Sequence, residues 1–99
     1  MLVRITLAAC AAMLLPMTAQ AQDSHLDSVQ KSGVLRVCTP GDYKPFSFAK
    51  PDGTFEGIDI DFANAIAKGL GARTEIVKTS WPKLMDDFVD KCDLAVGGI

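Results

Sequence analysis

The chain has 99 residues, ten Lys and Arg against twelve Asp and Glu, and a formal net charge of −2. Mild acidity without a basic patch or interleaved basic and aromatic residues argues against a nucleic-acid partner. With His25 as the one histidine, neither a Ser-His-Asp nor a Cys-His site can be assembled. There is no C-x-x-C pair, phosphate-cradling glycine loop or metal-ligand cluster to support a cofactor or a metal.

In chain order, residues 1–21 read as a secretory leader. Arg4 supplies the positive start, Ile5 to Leu15 an apolar run, and Ala19-Gln20-Ala21 a small-x-small cleavage site. The run is too short for a membrane span. Leu7-Ala8-Ala9-Cys10 has the residue types of a lipoprotein signal, but the apolar run continues past Cys10, so cleavage near Ala21 is expected, with export to the periplasm. The mature chain, 22–99, then carries nine basic against twelve acidic residues.

Leu26 to Lys31 fits a short helix, capped by Asp23 or Ser24 and stopped at Gly33. Val34 to Thr39 reads as a buried strand that opens into a loop carrying Pro40, Gly41, Asp42, Tyr43, Lys44 and Pro45. Phe46-Ser47-Phe48, the turn Pro51-Asp52-Gly53 and Phe55 then suggest a small hairpin, with Phe48 and Phe55 covering the core. Ile58, Phe62, Ile66 and Leu70, widened by Ala63 and Ala67, mark a clear amphipathic helix. Asp59 and Asp61 fall in its first turn, where carboxylates are favoured by the helix dipole. Without a third ligand nearby they make a poor metal pair.

Thr74 to Lys78 reads as a second strand. Ser80 can cap the helix that follows, with Pro82 in its first turn, Leu84, Met85, Phe88 and Val89 facing inward, and Asp86, Asp87, Asp90 and Lys91 in water. Cys92 to Gly97 completes a β-α-β-α-β order, for which two right-handed crossovers predict a parallel three-stranded sheet with packed helices. With those strands as neighbours, Cys38 and Cys92 are offset by roughly four residues at about 3.3 Å each, so two free thiols or small buried hydrophobes are expected rather than a disulfide. A mature length of about 78 residues is small for a parallel-sheet domain. A chain that stops in the exit loop of its third strand is expected to be the truncated first part of a longer one.

Ligands of open α/β sheets sit beyond the carboxyl ends of the strands. There the order of elements gathers Tyr43, Trp81 and the Gly97-Gly98 backbone, one from each strand exit. Two rings to hold an apolar body, with backbone N–H groups to meet a carboxylate, suit a small carboxylated solute.

The series GVLRVCTPGDYKPFSF, GIDIDFANAIAKGLGA, TSWPKLMDDF and DLAVGGI resembles the first lobe of the periplasmic family 3 solute-binding proteins. The resemblance runs from about Leu26 to Ile99, with four blocks in the family's order. The pairing of GDYKPFSF with TSWPKLMDDF is most similar to the family's cyclohexadienyl dehydratase branch, which converts prephenate and arogenate to phenylpyruvate and phenylalanine. The resemblance implies an α/β, parallel-sheet βαβαβ first lobe of a periplasmic-binding-protein-like fold, incomplete here. It makes Tyr43 and Trp81 ligand-stacking aromatics and places Gly97 and Gly98 beside the ligand. It also implies a carboxylate-clamping arginine and a catalytic general acid beyond residue 99, so the displayed chain is expected to be inactive alone. Two other readings stand beside it. One is an amino-acid receptor serving an inner-membrane ABC permease; the other is a fragment without a stable fold.

Overall fold

The computed structural model describes residues 24–99; the expected leader and its expected cleavage site lie outside the described residues. At the centre is β1 (Val34–Thr39), with the bounds expected from its punctuation by Gly33 and Pro40. It pairs in parallel with β5 (Arg73–Lys78) on one side and with β6 (Leu94–Ala95) on the other. The resulting order is β5-β1-β6, so the most buried strand occupies the middle. Leu35 and Val37 face a core made with Val29, Ile60, Ala63, Ala67 and Val96. The alternate residue, Cys38, faces Leu84 and Cys92 on the opposite side.

Helix α1 (His25–Ser32) begins in a reciprocal cap. The Asp27 N–H donates to Ser24 Oγ at 3.2 Å, and the Ser24 N–H donates to Asp27 Oδ2 at 3.1 Å. It ends at Gly33, left-handed at φ +70°. Between β1 and the next helix lies a small antiparallel sheet of β2 (Asp42–Tyr43), β3 (Ser47–Ala49) and β4 (Phe55–Glu56), in that spatial order. The expected hairpin is its β3–β4 half; β2 adds a third strand. Phe55 packs against the core as expected. Phe48 does not, because strand alternation sends Ser47 inward to Thr39 and leaves the Phe48 ring beneath Lys44 Nζ, 4.9 Å from its centroid.

Helix α2 (Ile58–Gly69) buries Ile60, Ala63 and Ala67, with Ile66 and Leu70 at the flanks. The expected stripe is corrected at its start: Ile58 and Phe62 are exposed. Residues spaced strictly by four advance about 400° per step, so such a row drifts off the buried face, and the three-and-four spacing of Ile60, Ala63 and Ala67 stays on it. The same correction applies to α3 (Leu84–Lys91), which follows a 3₁₀ turn at Trp81–Lys83. Leu84 and Phe88 face the sheet, whereas Met85 and Val89, each about 100° further round, are exposed. Ser80 precedes the turn without a side-chain cap. No helix among the described residues is long and apolar enough to cross a membrane.

Cys38 and Cys92 form a disulfide with a Cα–Cα distance of 5.8 Å, which overturns the expectation of free thiols. The register does pair Cys38 with Ala95, three residues beyond Cys92. But β6 is only Leu94–Ala95, and Cys92 is the residue that ends α3, its N–H donating to Phe88 O at 3.3 Å. It therefore approaches from the helical layer that Cys38 faces, and an offset counted along a strand does not measure their separation.

Candidate functional site

Three loops leave the carboxyl edge of the parallel sheet, and each is held in place by a polar side chain. After β1, the chain turns at Gly41 into Asp42 and Tyr43, and the Lys44–Pro45 peptide is cis. Thr39 and Ser47, both fully buried, share a 2.7 Å hydroxyl–hydroxyl hydrogen bond that ties the end of β1 to β3. The same loop docks on the start of α2. Two free N–H groups of its first turn, Ile58 and Asp59, donate to Pro45 O and Phe46 O, both at 3.0 Å. Gly57, at φ +137°, permits this, since a Cβ there would run into the Phe46 carbonyl.

After β6, the Gly97 and Gly98 N–H groups both donate to Asp59 Oδ2, at 2.9 and 2.8 Å. The carboxylate they meet in this structure is the chain's own Asp59. Asp59 looks like an ordinary helix-start carboxylate in the sequence, but it reaches across to fix a loop thirty-eight residues away. After β5, the Thr79 hydroxyl donates to Asp87 Oδ2 at 2.6 Å. That bond, with Lys91 at 3.2 Å, holds the Asp87 carboxyl below the usual aspartate range and moors the loop carrying Trp81 to α3. Asp87 was expected on the solvated face; its side chain is largely shielded.

All four residues singled out in the sequence converge on this edge. The Tyr43 ring stacks on Phe46, with centroids 5.2 Å apart and planes at 15°. Gly98, at φ +78°, lies against both rings, so closely that a Cβ would overlap Tyr43. Gly97 lies beside Thr39 and Pro40. Trp81 spans the gap from the β5 exit to the β1 exit, its indole Nε1–H donating to Asp42 Oδ1 at 3.0 Å. Tyr43 is 48% and Trp81 44% exposed, so the rings form an open platform. Asp42 was passed over in the sequence, where one acidic loop residue beside a tyrosine carries no distinguishing signal.

The opposite edge carries His25. As the first residue of α1 it places Nδ1 3.1 Å from Asp93 Oδ1. Asp93, its side chain 4% exposed, also accepts from the Arg36 N–H, Nε and Nη2, at 2.9, 3.4 and 3.2 Å. Burial alone would raise its pKa. The Arg36 hydrogen bonds and the His25 contact outweigh burial and hold the carboxyl below the usual range.

Comparison with known proteins gives this geometry its context. Residues 35–99 match the model of the bacterial extracellular solute-binding proteins, family 3. The cyclohexadienyl dehydratase of Pseudomonas aeruginosa is 51% identical over 92 residues, covering 92% of this chain and 34% of that protein. The L-cystine-binding protein TcyJ of Escherichia coli is 35% identical over 71 residues, covering 72% of this chain and 27% of that protein. The chain thus spans about a third or less of the length of these relatives. Among solved structures, an ancestral cyclohexadienyl dehydratase superposes with a TM-score of 0.74 at 51% identity, covering 80% of this chain and 33% of that one. The arginine-bound form of domain 1 from TmArgBP superposes with a TM-score of 0.68 at 30% identity, covering 80% of this chain and 60% of that domain. The parallel-sheet lobe described above is the fold these proteins share, and the chain belongs to the bacterial extracellular solute-binding proteins, family 3.

Proposed function

We propose that this chain is the solute-holding first lobe of a periplasmic cyclohexadienyl dehydratase, exported by a leader cleaved near Ala21. Its platform of Tyr43, Trp81 and Gly98 takes a small carboxylated solute. The observation that carries the reading is the 51% identity over 92% of the chain to a cyclohexadienyl dehydratase, with the two exposed rings on the ligand-facing edge of the sheet.

Conversion of prephenate to phenylpyruvate breaks the ring carbon–hydroxyl bond and the carbon–carboxylate bond. Carbon dioxide leaves, its bonding electron pair completes the aromatic ring, and the hydroxyl departs as water once protonated. The first lobe orients the ring and shields one of its faces, which requires stacking surface rather than an acid. Tyr43 and Trp81 supply that surface. Gly98, its N–H engaged by Asp59, supplies close approach, and Gly97, buried beside Thr39 and Pro40, holds it there. The proton comes from a general acid on a facing second lobe, so the 99-residue chain binds without turnover.

The reading is tested by exporting the protein encoded by the reading frame that contains this chain and incubating it with prephenate while following phenylpyruvate. Turnover is expected. Saturable amino-acid binding without turnover would instead favour a receptor for an inner-membrane ABC permease. The likeness to the L-cystine-binding protein and to an arginine-bound domain 1 supports that second reading.

A further inference from the structure

Asp42 is where the platform acquires charge. It is exposed in the loop after β1, and one of its oxygens, Oδ1, accepts the Trp81 indole N–H at 3.0 Å. Oδ2 has no hydrogen-bond or ion-pair partner among the described residues. Lys44, two residues on, makes no ion pair with it; its ammonium lies over the ring of Phe48, the residue paired with Asp42 across the sheet. Nor is the indole fixed by burial, since Trp81 remains 44% exposed. The hydrogen bond to Asp42 is therefore what selects one orientation of the ring, and the same carboxylate places at its edge a negative charge that no ion pair among the described residues engages.

We propose that Asp42 is a positioning and specificity residue of the platform: it fixes the Trp81 indole and biases the site toward solutes that carry an ammonium group over those that offer only carboxylates. This rests on the platform being a solute site, and it goes further by naming the charge class. Arogenate and prephenate form a matched pair, because they differ in an ammonium against a keto oxygen at one side-chain carbon. An exposed carboxylate at the platform edge discriminates between them by roughly fivefold at low salt, and by less as salt screens the charge.

The test uses the full chain labelled with ¹⁵N at the indole, Trp81 being its single tryptophan. Asp42→Asn and Asp42→Ala are compared with the parent. Asparagine retains an acceptor for the indole N–H and removes the charge; alanine removes both. The expected results are an indole N–H resonance that keeps its position and exchange protection in Asp42→Asn and loses both in Asp42→Ala. The arogenate-to-prephenate affinity ratio should fall about fivefold in either variant, and in the parent alone it should decline with added salt. An indole resonance indifferent to Asp42→Ala would overturn the positioning role, and an unchanged affinity ratio in Asp42→Asn would overturn the charge role. A parent protein that binds neither compound contradicts the solute-site reading and the charge preference together; the indole resonance then decides the positioning role by itself.

Discussion

The two edges of the parallel sheet are each organised around an aspartate, and they differ in what surrounds it. At the amino edge, Asp93 is buried and accepts from the Arg36 backbone, the Arg36 guanidinium and His25. At the carboxyl edge, Asp42 is exposed and engaged through one oxygen by one indole. The first arrangement consumes its polar groups in holding β1 to the start of β6, and the second leaves rings and charge available. On the proposed reading, fold stability is concentrated at one edge and recognition at the other, as expected of open α/β sheets with ligands beyond the carboxyl ends of their strands.

The contrast can be broken most severely through the disulfide that joins α3 to β1. Cys38 and Cys92 enclose a loop of 54 residues, for which the chain-entropy model gives about 4 kcal/mol. Chemical denaturation with and without reductant should show a loss of that order. A reduced protein of equal stability would mean that the anchored half does not depend on the bridge.

Asp93→Ala comes next. It strands the Arg36 N–H and guanidinium, although partial exposure of Arg36 softens the penalty, so a loss of about 2 kcal/mol is expected by denaturant titration. Because the folded Asp93 carboxyl lies below its ordinary value of about 4, its contribution is complete above that pH. It is lost as the pH falls through the lower folded value. Parent and variant should therefore converge in stability on acidification, and a gap that stays constant down to strong acid would exclude Asp93 as its source.

Gly98→Ala should cost less stability, about 1 to 2 kcal/mol, because a Cβ at φ +78° is strained and meets the Tyr43 ring. Its effect on solute affinity should be the greater one, since the ring it displaces belongs to the platform. A variant that binds normally would remove Gly98 and Tyr43 from the site.

The sequence made parts of this molecule legible where one local rule governs. β1 is bounded as Gly33 and Pro40 mark it, and α1 starts and stops at its cap and its left-handed glycine. Convergence of Tyr43, Trp81, Gly97 and Gly98 followed from strand order alone, because parallel strands must open their exit loops on one side. What stayed hidden were pairings across the sheet. Cys92 was reckoned along a strand when it arrives from a helix. Asp59 was read as serving its own helix when it serves the β6 exit. Ile58 and Phe62 were grouped with a buried row because spacing by four approximates a helical face over one turn and departs from it over three. Asp42 carried no signal, since its importance lies in a neighbour thirty-nine residues distant.

The account depends on the carboxyl edge being a solute-binding surface, and Trp81 reports on that directly. Its fluorescence should change saturably as arogenate, prephenate or an amino acid is added, and the response should be abolished in Trp81→Phe. Because the indole is exposed, that substitution should alter stability by less than about 1 kcal/mol. A parent protein whose Trp81 emission is unmoved by every one of these solutes, while calorimetry shows one of them binding, would place the site elsewhere and contradict the account.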